Sequence, residues 1–253
     1  MILAFDADDT LWHNETRFQA VHRAFEELLA EWADATTVDD TLFATETRNL
    51  PLFGYGVKSF TLSMIETAVE LSDGAVDAAR IARIIELGRH LLDAPVELLP
   101  DVPEVLDTLA GRHRLALVTK GDLYDQLSKI ERSGLADRFW RTEVVAHKDT
   151  ATYAGVFARW GVPAAEVVMI GNSLRSDVLP VLELGGRGVH VPYEVTWRHE
   201  HVDPVPGVPV LERLADLPAL VEAWTADPRA ADTQTSDTGP ADTRAADTAG
   251  GAA

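Results

Sequence analysis

From Pro95 onward, four short apolar runs alternate with amphipathic segments, and this rhythm leaves few folds open to the chain. The runs are 114–118 (RLALV), 142–146 (TEVVA), 166–170 (EVVMI) and 187–191 (RGVHV). Segments with helical spacing near 103–110, 123–132, 150–160 and 175–184 accompany them. Short strands alternating with helices predict a parallel sheet covered on both faces, because parallel neighbours need crossover connections. A fifth run, residues 2–5 (ILAF), ends in a cluster of acids and joins the same sheet. The expected fold is α/β, a Rossmann-like three-layer core around a parallel sheet.

The stretch between the first and second runs reads differently. From about Glu15 to Asp93 the spacing is helical throughout. Phe18, Val21, His22, Phe25, Leu28, Leu29 and Trp32 recur at steps of three and four, with Asn14 as the expected N-cap. Leu62, Ile65 and Val69, then Ile81, Ile84, Ile85, Leu87 and Leu91, continue the pattern, and 51–56 (PLFGYG) reads as a loop between early and later helices. The expectation is an all-helical insert over 14–94, interrupting a core built from 1–13 and 95–225. Beyond that core, 226–253 repeats Ala-Asp-Thr at 231–233, 241–243 and 246–248 and holds no large apolar residue. Such a segment cannot offset the entropy of ordering, so a disordered tail is expected.

Charge narrows the functional classes. Of 253 residues 41 are acidic and 22 basic, a net −19, which disfavours nucleic acid and anionic membrane surfaces as partners. No cysteine is present, so disulfides, thiolate metal sites and a cysteine nucleophile are excluded. No apolar stretch approaches the roughly 20 residues of a membrane span. The opening MILAFDADDTLW brings carboxylates after five residues, unlike a secretory signal. A soluble cytoplasmic protein is expected, as monomer or homodimer.

Polar residues gather just past the strand ends: Asp6, Asp8, Asp9 and Thr10; Thr119 and Lys120; Lys148; and Gly171, Asn172, Ser173 and Asp177. Open α/β sheets bind ligands outside the carboxyl ends of their strands. At these positions FDADDTL resembles the first motif of the haloacid dehalogenase (HAD) superfamily, Asp-x-Asp-x-Thr after a strand. LALVT resembles the second motif, Lys148 matches the third-motif lysine, and IGNSLRSD resembles the fourth. The resemblance covers about 1–224, and the helical insert resembles the cap of the first HAD subgroup.

The resemblance implies a Mg²⁺-dependent phosphatase acting on a small-molecule phosphate ester such as a nucleotide, sugar phosphate or phosphoglycolate. Asp6 would attack phosphorus, since a carboxylate is ionised at neutral pH without an activating base. Asp8 would serve as general acid and then base, a role asking for a raised pKa. Mg²⁺ would sit among the Asp6 carboxylate, the Asp8 carbonyl, Asn172 and Asp177. Asn172 stands where many members carry Asp, so direct or water-mediated ligation at 172 and 177 stays open. Thr119 and Lys148 would hold the phosphoryl oxygens. Lysine is scarce here, four against 18 arginines, which weighs for Lys148. Lys120 is either a second phosphate contact or a solvated loop lysine.

Other residues carry weaker signals. Asp9, at the usual Gly position of the motif, reads as a turn-stabilising residue, and Ser173 as a helix cap. Tyr55 and Lys58 flank a Gly-bearing loop where substrate contact is one reading. His199 and His201 lack a third ligand at helical spacing and read as surface loop. The six scattered tryptophans read as packing anchors. Three alternatives remain: 2-haloacid dehalogenation at Asp6, phosphonate hydrolysis with Lys58 as Schiff base, and a non-catalytic phosphometabolite-binding protein.

Overall fold

The computed structural model describes residues 1–226; the expected tail lies outside them, apart from Ala226. Met1–Pro218 form one compact unit, and a second begins at Ala219. Five strands make an all-parallel sheet: β1 (Ile2–Phe5), β2 (Arg114–Lys120), β3 (Arg141–Val145), β4 (Val167–Gly171) and β5 (Arg187–His190), in the order β3-β2-β1-β4-β5. β1 is central and buried along its whole length, as an unbroken apolar run with sheet on both sides should be. The strand order reverses at β1, which places the crevice for a ligand above the carboxyl ends of β1 and β4. The α/β Rossmann-like core is the expected one.

Four helices stand between β1 and the rest of the core: α1 (Glu15–Leu29), α2 (Ala35–Phe53), α3 (Val57–Leu71) and α4 (Ala78–Asp93). They bury their own apolar cluster, with Phe25, Leu42, Met64 and Ile84 fully enclosed. Its members are distinct from those of the cluster packed on the sheet around Ile2, Val118, Tyr153 and Met169. The chain leaves the core and returns to it at one place. The His13 N–H donates to the Glu97 carbonyl at 3.0 Å, and the Leu99 N–H to the Leu11 carbonyl at 2.9 Å. Joined ends let a long helical segment be inserted without opening the sheet.

After this segment come α5 (Val102–Ala110), α6 (Leu123–Arg132), α7 (Thr150–Trp160), α8 (Leu179–Glu183) and α9 (Leu217–Ala226). None of the described helices is long and apolar enough to cross a membrane.

Several local expectations need correction. Residues 51–53 are helical: α2 carries Pro51 in its last turn at the loss of one backbone hydrogen bond, and Gly54 at φ 73° ends the helix. Thr119 and Lys120 lie inside β2, since pairing with β3 continues to Lys120↔Val145 after pairing with β1 ends at Leu117. The segment near 175–184 is a π-helical turn, Leu174–Val178, followed by the short α8, whose first turn takes Pro180. Asn14 stands at the N-cap of α1 but makes no side-chain cap bond. Asp9 does that work, accepting from the Asn14 and Glu15 N–H groups at 2.8 and 2.9 Å.

Leu42→Ala should remove about 2–5 kcal/mol of stability, the usual cost of emptying a closed apolar site. Urea unfolding followed by circular dichroism measures it. A loss below about 1 kcal/mol would show that α1–α4 do not share one packed interior.

Candidate active site

β1 ends at Phe5, and the next side chain, Asp6, emerges at the crevice with its backbone N–H bonded to the Ile170 carbonyl of β4 at 2.8 Å. Its carboxylate accepts from the Lys148 ammonium at Oδ1 and from the Thr10 hydroxyl at Oδ2, the latter at 3.0 Å. The same ammonium reaches Asp177 Oδ1 at 2.6 Å. Lys148 thus bridges two acids that the sequence places 171 residues apart. Its side chain is only 2% exposed. Burial alone would lower its pKa, but Asp177 and Asp6 reverse this and hold it well above the ordinary lysine value. One ammonium between two buried carboxylates leaves a negative charge over. Burial, with Asp177 alongside, accordingly pushes the Asp6 carboxyl up to about 7 against the pull of Lys148.

Asn172, at the end of β4, meets the same cluster from the other side. Its backbone N–H donates to Thr10 Oγ1 at 3.0 Å, and its Oδ1 lies 3.4 Å from that hydroxyl. Asp177 Oδ2 accepts from the Ser173 N–H at 3.0 Å, while Ser173 Oγ accepts from the Ser176 N–H, the capping role expected for it. Gly171 is required here: a Cβ at this position would overlap the Asp177 carboxylate.

Asp8 departs from its expected state. Both of its oxygens take the Lys129 ammonium at 2.8 Å, and Gln126 Nε2 and Trp12 Nε1 donate to it at 2.8 and 2.7 Å. Burial works to raise its pKa, but these partners outweigh burial and hold the carboxyl below its ordinary value. The raised pKa that the acid role asks for is thus reversed by Lys129, which lies 121 residues away in the sequence. Asp9, at φ 63°, is the turn residue expected, and burial pushes it to about 7.

At the rim, Lys120 bonds to Glu200 and to Ser176 Oγ at 3.0 Å, with its ammonium over the rings of Tyr55 and Trp197. Glu200 also accepts from Ser173 and from Ser176, the latter at 2.6 Å. Burial opposes its ionisation, yet Lys120 and the two hydroxyls bring its pKa to about 2. Glu200 carries no motif, lying between two histidines in a short 3₁₀ turn, Arg198–Glu200, and sequence reasoning missed it. His199 stacks instead on Phe43, 4.3 Å between centroids. Trp197 lines the cavity, beyond the packing role expected of it. Lys58 does not: its ammonium takes both Asp122 oxygens at 2.9 Å, 58% exposed and outside the cavity lining.

These groups surround a cavity of about 150 Å³. Asp6, Asp8, Thr119, Lys120, Lys148, Asn172 and Asp177 all line it, so four strand-end segments separated in sequence converge on one space. The helical segment supplies the facing wall with Glu15, Phe18, Glu46 and Phe60, none of which the sequence motifs point to. Burial, with Asp9 and Glu46 nearby, pushes Glu15 up to about 8, and burial with Asp39 pushes Glu46 to about 7.

A parallel α/β sheet with an acid pair at the end of its central strand, the first acid held by a buried lysine, defines a class of hydrolase. Residues 1–185 match the family described as haloacid dehalogenase-like hydrolases, and the chain belongs to that family. A haloacid dehalogenase-like family hydrolase from Xanthomonas campestris is 44% identical over 93% of this chain and 94% of its own, with a TM-score of 0.80. A 2-haloacid dehalogenase from Pseudomonas syringae pv. tomato (23% identical, 88% of this chain and 98% of that one, TM-score 0.59) shares the fold. So does a predicted phosphoglycolate phosphatase from Haemophilus somnus (15% identical, 87% and 97%, TM-score 0.58). No curated protein matches the chain.

The raised carboxyls make stability depend on pH. A carboxyl with a folded pKa above its unfolded value binds more protons when folded, so its cost is absent below about pH 4 and complete above about pH 8. Glu46→Gln should therefore melt above wild type at pH 8, by about 2–4 °C per kcal/mol relieved. The gap should narrow as the pH falls toward 4.5. Thermal melts across pH 4.5–8 in chelator test this, and a gap independent of pH would contradict it.

Proposed function

We propose that the chain is a Mg²⁺-dependent phosphatase that hydrolyses a small phosphate monoester through an aspartyl-phosphate on Asp6. The Asp6–Asp8 pair carries this reading: two carboxylates leave the end of the central strand two residues apart, and both line the cavity. An alkoxide needs a proton in order to depart, and the acyl phosphate that follows needs a water deprotonated. Asp8 is placed to do both. Paired with Lys129 it is ionised, the form that takes a proton from water; a phosphoryl dianion beside it adds a like charge that raises its pKa toward the acid role. Halide, by contrast, leaves without a proton, so dehalogenation gives Asp8 no acid role and uses only half of what it can do. The phosphonate alternative loses its lysine, because Lys58 is held by Asp122 away from the cavity.

Attack by an Asp6 oxygen on phosphorus breaks the ester P–O bond, and Asp8 protonates the departing alkoxide. Lys148 and the Thr119 hydroxyl stabilise charge on the phosphoryl oxygens. Asp8 then takes the proton of the water that hydrolyses the acyl phosphate, which frees Asp6 and phosphate.

The donor set fits Mg²⁺. The carboxylates of Asp6 and Asp177, the amide oxygen of Asn172 and the carbonyl of Asp8 are all hard oxygens, and the charge left over around Lys148 calls for a further cation. When bound, the metal neutralises charge on the phosphoryl oxygens. We also read 14–94 as a cap over this site, supported by Glu15, Phe18, Glu46 and Phe60 on its wall.

With p-nitrophenyl phosphate and Mg²⁺, wild type should turn over and lose activity in EDTA. Asp6→Asn should be inactive, and Lys148→Ala should fall by about 10²–10³-fold. Equal rates in wild type and Asp6→Asn would sink the reading.

A further inference from the structure

Eight carboxyl side chains line the cavity against three lysines. Each lysine is already committed: Lys148 to Asp6 and Asp177, Lys129 to Asp8 and, at 3.8 Å, to Asp125, and Lys120 to Glu200. Asp9 is satisfied by backbone N–H groups. That leaves Glu15 and Glu46 on the helical wall, where no hydrogen bond or ion pair reaches either side chain among the described residues. His22 beside them adds no cation, because burial lowers its pKa, and its Nδ1 lies 3.7 Å from Asp39. With no cation beside them both carboxyls stay raised, at about 8 and about 7, and a positive group on the rest of the substrate is the partner that would ionise them.

Two other features of the same cavity point to a donor-bearing, cationic ligand. Phe18 and Phe60 line it beside the two glutamates, their ring centroids 5.1 Å apart, and ring faces attract ammonium groups. Gln126 lines it from the core side, 2% exposed. Its Nε2 is used by Asp8 and by the Lys120 carbonyl, while its Oε1 is buried without any partner. A buried acceptor left unpaired is costly, and a ligand N–H satisfies it.

We infer that the leaving group of the substrate carries an ammonium, held by Glu15 and Glu46 against the Phe18 and Phe60 rings, so that the natural ester is the phosphate of an amino alcohol. This rests on the phosphatase reading above and narrows it, away from anionic esters such as phosphoglycolate. The phosphoryl end lies at Asp6 and Lys148, and the amine end at the helical wall. Glu15 and Glu46 act on specificity and touch no reacting atom.

The test compares kcat/KM for phosphoethanolamine and phosphocholine with that for 2-hydroxyethyl phosphate, a neutral analogue, and for phosphoglycolate. Wild type should favour an aminated ester over the neutral one by about tenfold or more, the worth of one charge-assisted contact. Phosphoglycolate should rank last. In the Glu15→Gln/Glu46→Gln double variant, with folding checked by circular dichroism, that ratio should fall about tenfold. Hydrolysis of p-nitrophenyl phosphate without any preference for an amine would overturn this inference and leave the phosphatase reading standing. So would an amine preference that survives in the double variant. Failure to hydrolyse any ester would overturn both.

Discussion

Lys148 stands between Asp6 and Asp177 with almost no contact with water, and the geometry of the site follows from that bridge. Two buried carboxylates facing each other repel, and neither is tolerable without a cation between them. The ammonium holds the end of β1, the loop after β3 and the π-helical turn after β4 in one arrangement. Thr10 adds a second tie, joining Asp6 to the Asn172 backbone. The bridge leaves one negative charge over, which is the physical basis for reading a divalent cation into the site.

The same economy of charge extends outward. Lys129 neutralises Asp8, and Lys120 neutralises Glu200, so every lysine near the cavity has a carboxylate of its own. What is left unpaired lies on the helical wall, away from the strand ends. A divided cavity results, with a floor of paired charges where phosphate chemistry is proposed and a wall of unpaired acids and rings where the rest of a ligand sits. The chain's negative charge, which first served only to disfavour nucleic acid and membranes, is concentrated here into a statement about what the substrate carries.

Much of the floor was legible in the sequence because β-strands deliver their next residues to a known edge. Asp6, Asp8, Thr119, Lys148, Asn172 and Asp177 each follow or end an apolar run, and parallel topology brings such ends together whatever the chain length between them. The local role of Asp9 was also readable from its place in a turn. The partners of these residues were not. Lys129 and Gln126 lie on α6, where spacing indicates helix and buried face but not that the face meets Asp8. Glu200 belongs to a loop with no periodicity, and Lys58 was given to the substrate although Asp122 claims it.

The alternation of apolar runs and helices, with acids at the strand ends, was enough to determine an α/β sheet, a helical segment after its first strand and the strand-end residues that line the cavity. Those features depend on local spacing and on rules of connection that hold for any parallel sheet. The protonation state of Asp8, the exclusion of Lys58 from the cavity and the acidic wall of Glu15 and Glu46 came only with the tertiary structure. Charge and pKa depend on distances of a few ångströms between residues far apart in the chain, and no one-dimensional pattern carries that information.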